Sequence, residues 1–540
     1  MKTRIRKIAA LAAALLLLTS LTGCLGVTQD DPLSQIPDST AGKDVQKAPA
    51  VDHVFSLNSN SRYAFRPSVA TNHANQLICN LVYENMLELD NDFKVIEGSG
   101  LITEYGYTDG EGKVWEFKID TSHVFHDGSP VTGNDLRMSL ENAIHSDRFQ
   151  GRFASVRGVG YDTDRLVVTL GIADTQFYKL LNIPVVKAGT FGDEHPVGSG
   201  PYTWSEDGTK LVAFEGYPGY EDFPVQEVFI REYTDQASIL SAFEDGLIDI
   251  TVNDPSSITN LGYASTNETR TYVTTNLHYV AFNEDTTLGR YSNVRSALGY
   301  AFDRSYFEEL MKGDAIGTPV PMIPTVDCYP TQLANTHGFD MERCMRILSN
   351  YGITDFDEDG RLELANGSAQ EMYMIMIVPA DSSVKAGVAH RFADQMAEVG
   401  FTIEVRELTW DEYLEALEKG ELSDGTPWDI YYGEVKLRNN FDLTELLQVR
   451  SEDNENTNLN YTRSTDKTFE NYINAYLSAS DMARAQRYEE LCQYLLDTGS
   501  LITIGFEKQE VVSHRGVIKG IDPNAGNPMY NFIHWEIDLS

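Results

Sequence analysis

Residues 372–432 alternate short apolar strands with amphipathic helices, and few folds accept that pattern. Met372–Val378 is a strand-like apolar run. Val384, Val388, Phe392, Met396 and Val399 then recur at helical spacing, and Phe401–Val405 reads as the next strand. Thr409-x-x-Glu412 has the form of a capping box for a helix carrying Trp410, Tyr413, Leu414 and Leu417, and Trp428–Tyr432 closes the series as a third strand. A βαβαβ order with right-handed crossovers makes a parallel sheet, so the fold class is α/β. Ligands in such sheets collect beyond the carboxyl ends of the strands. Here that edge is Pro379–Ser382, Arg406–Thr409 and Gly433–Arg438.

The chain is 540 residues long, enough for more than one domain. Its net charge of −39 would repel the phosphates of nucleic acid and anionic lipid, so neither is expected as a partner. The first residues read as an address. Lys2, Arg4, Arg6 and Lys7 precede the apolar run Ile8–Leu18, which is short for a membrane-spanning helix. Leu21-Thr22-Gly23-Cys24 resembles the lipobox of bacterial lipoproteins. The resemblance implies a signal peptide over 1–23, cleavage before Cys24, and lipid on its sulfur. Residues 25–50 are polar, contain Pro32, Pro37 and Pro49, and read as a tether spanning at most ~90 Å. Cys79, Cys328, Cys344 and Cys492 form no CxxC pair, which argues against a thiolate zinc site. A Cys328–Cys344 disulfide is open to an exported protein.

The folded body is expected from Val51. Phe55–Asn58 reads as a strand. A helix follows on Ala74, Leu77, Ile78, Leu81 and Val82, with Met86–Leu89 running on from it. Trp115–Ile119 alternates as a half-buried strand. Phe125-His126-Asp127-Gly128-Ser129-Pro130 then leads through Thr132-x-x-Asp135 into a helix with Leu136, Leu140 and Ala143. Leu166–Leu170 is a strand, Val197-Gly198-Ser199-Gly200-Pro201-Tyr202 a sharp reversal, and Gly246–Ile250 follows a strand (Val228–Arg231) and a helix (Ala237–Phe243). Farther on, the strand His278–Asn283, the helical stripe Val294, Ala297, Leu298 and Ala301, and the proline-bearing Gly317–Pro324 come in succession. Met482–Leu496 reads as a helix and Leu501–Phe506 as a strand.

Phrase by phrase, this order resembles the peptide/nickel-type (family 5) extracellular solute-binding proteins of ABC importers, from about Val51 to the C-terminus. The resemblance implies a two-lobed periplasmic-binding-protein-like fold with an extra subdomain, mixed sheets flanked by helices, and a ligand cleft between the lobes. The implied layout is lobe 1 over 51–283 with the subdomain at about 88–195, lobe 2 over 284–504, and a C-terminal return to lobe 1 over 505–540. It also implies a monomeric receptor anchored on the outer face of the cytoplasmic membrane by Cys24. Such a receptor serves the permease and ATPase subunits of an importer and binds an oligopeptide or another small solute. Nickel chelates, opines and glycans are rivals within the fold, and a surface hydrolase is the rival outside it. In the family the Phe125–Pro130 phrase is structural, so His126 and Asp127 are read as a turn and not as an acid–base pair.

Candidate ligand residues fall on the loop after the third strand. Peptide receptors of the family commonly read "GW-x-x-DY-x-DP" there, and the first aspartate grips the peptide amine. This chain has Gly433-Glu434-Val435-Lys436-Leu437-Arg438 and, beyond it, Asp442. Glu434 or Asp442 could hold an amine; Lys436 and Arg438 could hold an acidic ligand. Tyr432 borders the same loop, and Tyr63, Arg66, Asn72 and His73 are candidates for the opposite wall. Asp355-x-Asp357-x-Asp359-Gly360 places carboxylates where a calcium loop has them, although position 12 is Asn366 and not glutamate. The alternatives are a structural calcium ion or a solvated acidic turn, with no catalytic cofactor. GxSxG and HExxH are absent, and the 11 histidines show no metal-ligand spacing.

Overall fold

The computed structural model describes residues 53–149, 151–254, 267–365, 369–452, 454 and 457–539. The leader, Cys24, the tether, Val51 and Asn366 lie outside the described residues. Among the described residues no helix is long and apolar enough to cross a membrane.

One 11-stranded sheet runs through both lobes. Its first-lobe part contains the parallel strands Ser56–Ser59, Glu227–Glu232 and Ile250–Asn253, with the helix Gln236–Glu244 as the crossover between the last two. Its second-lobe part is the βαβαβ unit. Tyr373–Pro379, Thr402–Leu408 and Ile430–Lys436 are linked by the helices Ser383–Ala397 and Trp410–Lys419, and both strand pairings are parallel. Successive residues of these strands enter opposite cores. Ile375, Ile377 and Tyr431 join one cluster, while Met374, Met376 and Tyr432 join the other. Both faces are therefore covered, as a parallel sheet requires.

The two parts are joined by a pair of long antiparallel strands, Asn267–Phe282 and Ile502–His514. At one end Glu510–Ser513 pairs with Ile250–Asn253; at the other, Asn276–Phe282 pairs with Ile430–Lys436. The register slips between Val273 and Leu277, where the pair passes from one lobe to the other. Such a bulge bends a strand and raises its twist.

A separate four-stranded antiparallel sheet, in the order Ile102–Tyr107, Val114–Ile119, Arg165–Leu170, Val156–Asp162, packs on the helix Gly133–Ile144. Both reciprocal capping boxes form, Thr132 with Asp135 and Thr409 with Glu412. The Phe125–Pro130 turn and the Gly198–Pro201 reversal clasp one another: His126 N donates to Gly198 O at 2.9 Å, and its ring lies 3.0 Å from Gly200 O. A Cβ on Gly198 would stand 2.1 Å from Val82 O, so only glycine lets this loop close on the helix end.

Four expectations change. The helix His73–Val82 stops where Tyr83 turns extended, so Met86–Leu89 is not helical. The stripe at Val294 is a short helix, Ser292–Leu298, and Ala301 is buried beyond its end. Gly433–Lys436 is strand rather than loop, because its backbone groups pair with Asn276–Tyr279. Cys328 and Cys344 are free, buried thiols in different apolar clusters and make no disulfide.

Candidate functional site

Where the crossing strands pass between lobes they carry a buried polar knot. His278 Nε2 lies 2.6 Å from Glu507 Oε1, and both side chains are fully excluded from solvent. Glu507 also accepts from Asn276 Nδ2 at 2.9 Å, and the other ring nitrogen of His278 meets the Tyr432 hydroxyl at 3.0 Å. Tyr432, a candidate ligand residue, is thus 1% exposed and spent on the hinge. Glu434 brings a carboxylate within 4.8 Å of the His278 and Glu507 donor atoms. It is engaged by Lys385 at 2.8 Å, however, so this set is an ion-pair network.

Next to it lies a pocket of about 380 Å³ at the carboxyl ends of the second-lobe strands, bordered by Pro379, Asp381, Trp410, Gly433 and Glu434. A Cβ on Gly433 would fall 2.3 Å from Tyr279 Cζ; the missing side chain lets that ring lie across the strand pair. A larger cavity, about 740 Å³, separates the first-lobe stretches Asp92–Gly98 and Gln176–Lys179 from Val326–Cys328 and Asp481–Ala485.

The charged candidates divide. Arg438 and Asp442 hold each other at 2.5 Å, with Glu445 3.6 Å from the same guanidinium, and Asp442 is 5% exposed. Neither charge is free for a ligand. Lys436, opposite Asn276 at the bulge, has no carboxylate partner among the described residues. It is exposed to solvent, yet burial followed by the like charges of Arg152 and Arg148 lowers its ammonium to about 8. Its exposed side chain therefore stays open to solvent while lying within electrostatic reach of two first-lobe cations. His73, the first residue of its helix, stands on the opposite wall. Burial, then the charges of Lys436 and Arg148, holds it at about 4. Asn72 caps that helix through Oδ1, 2.9 Å from Asn75 N, and leaves a buried Nδ2 without an acceptor. Tyr63 is 44% exposed, and nothing brings it or Arg66 to Lys436.

Sequence reasoning missed Arg148 and Arg152. Their guanidinium carbons lie 5.0 and 4.9 Å from the centroid of the buried Phe149 ring. Arg148 donates to Pro67 O at 2.7 Å and Arg152 to Asn182 O at 3.2 Å. Between them, a Cβ on Gly151 would meet Glu445 Oε2 at 3.0 Å and Arg438 Nη2 at 4.0 Å, so the turn faces the segment that follows Lys436. The readable signal was two cations four apart around one aromatic.

The lobes also touch along a seam. Thr175 N and Oγ1 donate to Leu477 O and Ala479 O, at 2.9 and 2.6 Å, and Asn440 donates to Asp174 at 2.8 Å. Burial, with Asp442 nearby, raises the Asp174 carboxyl to about 7.

The acidic loop is a hairpin turn in which Asp355, Asp357 and Asp359 are joined by Glu363. All four carboxylates lie within 4.8 Å of one another, and Glu363 is 2% exposed. Glu363 was not among the expected ligands. Each group already accepts a backbone N–H, for example Gly360 N to Asp355 at 3.0 Å and Phe356 N to Glu363 at 2.8 Å.

Two lobes on a shared pair of strands, with cavities between them, define a hinged binding protein. The profile of bacterial extracellular solute-binding proteins, family 5 Middle, matches residues 98–432, and the chain belongs to that family. The family consists of substrate-binding receptors of ABC importers and not of enzymes. Against curated proteins the sequence has no match. Among solved structures it is similar to the ABC transporter substrate-binding protein CtaP of Listeria monocytogenes (TM-score 0.69, 18% identity, 90% of this chain and 100% of that one). It is also similar to the oligopeptide-binding protein AppA of Bacillus subtilis in complex with a nonapeptide (0.61, 18%, 90% and 98%). NikZ of Campylobacter jejuni in complex with Ni(L-His) is a third (0.65, 16%, 90% and 100%).

Proposed function

We propose that this protein is a monomeric receptor, held on the outer face of the cytoplasmic membrane by lipid on Cys24. It captures an oligopeptide between its lobes and delivers it to the permease and ATPase of an ABC importer. The observation that carries this reading is the pair of strands shared by both lobes, which lets them close as rigid bodies. A solute touching both lobes favours the closed state by its differential affinity, and the closed state is what the permease would recognise. Lobe 1 is taken as 51–283 with its subdomain near 88–195, lobe 2 as 284–504, and 505–540 as the return. AppA, of the same fold, holds a nonapeptide.

The test begins with mass spectrometry of whatever co-purifies with the leaderless protein. Melting with candidate peptides follows. At a ligand concentration of 100 Kd the expected stabilisation is about 2.7 kcal/mol, with the peptide recovered intact. Cleavage products would make it a hydrolase, and retention of Cys24→Ala in the membrane fraction would remove the anchor.

The Asp355 loop is proposed as a structural calcium site apart from the solute. Calcium chloride at 1 mM is expected to raise the melting temperature relative to EDTA, and Asp357→Asn to abolish the difference. Equal melting in both buffers refutes the site.

A further inference from the structure

We propose that the solute is anionic, and that Lys436 of one lobe grips its carboxylate or equivalent oxyanion together with Arg148 and Arg152 of the other. This rests on the receptor reading above and narrows it.

The argument is one of missing counter-charge. The chain carries 81 acidic residues against 42 lysines and arginines. The neighbouring Arg438 has two carboxylates within reach. Arg148, Arg152 and Lys436 have none among the described residues. Each guanidinium is oriented by a single carbonyl oxygen and by the Phe149 ring, which leaves the remaining N–H groups of its planar fork unspent. Gathering like charges in a partly dehydrated gap opposes folding, and such arrangements persist where function uses them. The cost is visible on every member: Arg152 is lowered to about 10 by burial and by its neighbours Arg148 and Arg438, and Arg148 is lowered by burial. His73 stays neutral and adds no further charge on its wall. An anion in the gap would be met by charge from both lobes at once. It would therefore favour the closed state more than either wall alone could.

A pH dependence follows. The groups facing Lys436 are Arg148, Arg152 and His73. With Lys436 at about 8 in the free protein, its charge is present at pH 7 and largely gone by pH 9.5. Affinity for an anion should fall across that window. Salt should weaken binding as well, to the extent that the gap admits ions.

The experiment is calorimetric titration of the leaderless protein with the tripeptides Ala-Glu-Glu, Ala-Ala-Ala and Ala-Lys-Lys, and with citrate and inorganic phosphate as free oxyanions. The acidic peptide is expected to bind at least tenfold tighter than the neutral one, and the basic peptide to be excluded. Citrate or phosphate binding as tightly as the acidic peptide would assign the site to a free oxyanion rather than to a peptide; both results support the proposal. Lys436→Gln is solvent-exposed and should fold normally. It is expected to weaken anion binding at least tenfold and to flatten the pH profile between 7 and 9.5, while Lys436→Arg retains binding and moves the profile above 9.5. If neutral or basic peptides bind best and Lys436→Gln leaves their affinity unchanged, the anion assignment falls and the receptor stands. If no probe binds and no solute co-purifies with the protein, the receptor reading falls with it.

Discussion

Replacing Glu507 by alanine is expected to destabilise the protein by about 3 kcal/mol, the cost of leaving the side-chain donors of His278 and Asn276 without their acceptor. The carboxylate and the His278 ring are 2.6 Å apart with no solvent access, and Asn276 depends on the second oxygen. Removing the carboxylate strands the fully buried His278 ring and takes the acceptor from the half-buried Asn276 amide. The same substitution frees the strands at their register slip, so the loss should fall on the hinge itself. Equilibrium urea unfolding followed by tryptophan fluorescence reads the cost as a shift in midpoint. The control is the double variant His278→Phe, Glu507→Leu. Exchanging a whole buried pair for apolar groups of similar size is often neutral, so the double variant should be more stable than Glu507→Ala alone. A cost below about 1 kcal/mol for Glu507→Ala would mean that backbone pairing, and not this pair, holds the crossing strands.

How much of this was legible in the chain depends on the distance over which each contact acts. The βαβαβ unit could be read because period and caps are local. Val384, Val388, Phe392 and Met396 are buried, and Thr409 and Glu412 cap as their spacing predicts. The Phe125–Pro130 and Gly198–Pro201 phrases could be read as turns, but not as partners, because the His126–Gly200 contact spans 74 residues. Gly433–Lys436 looked like a loop because its charges and glycine are poor strand formers in isolation. Pairing with Asn276–Tyr279, more than 150 positions earlier, overrides that preference. The binding wall was the least legible part. Arg438 and Asp442 are four apart, a spacing that suggests a pair, and they neutralise each other. Lys436 lacks a counter-charge because the groups that face it, Arg148 and Arg152, are themselves cations, and nothing near residue 436 in sequence announces them.

Phe93→Ala is expected to loosen the closed state enough to weaken solute binding by about two orders of magnitude. Phe93 sits at the tip of the Asp90–Lys94 turn, which Asn91 fastens to the first lobe through Pro523 O. Its ring is 3% exposed, buried in the second-lobe cluster, and stands edge-on to Phe441 at 5.3 Å. Both phenylalanines have left-handed backbones, with φ of 60° and 56°. For a residue with a Cβ that conformation costs roughly 1–2 kcal/mol each, and it is tolerable because burying a Phe side chain returns about 1.5–3 kcal/mol. The neighbouring Lys94–Asp327 pair at 2.9 Å is exposed and contributes little. The ring is therefore the main apolar tie at this corner of the seam, and opening the lobes would pull it into water. Phe→Ala truncation in a packed site costs about 3–5 kcal/mol, most of it charged to the closed state, and 2.8 kcal/mol is a hundredfold in Kd. Calorimetry measures the affinity, and small-angle scattering of the solute-free variant should show a larger radius of gyration. Phe93→Gly relieves the backbone strain but loses the same ring, so it should bind as weakly as Phe93→Ala. Unchanged affinity with unchanged scattering would mean that the Asp90–Lys94 turn travels with the second lobe, and that the lobes part on the other side of it.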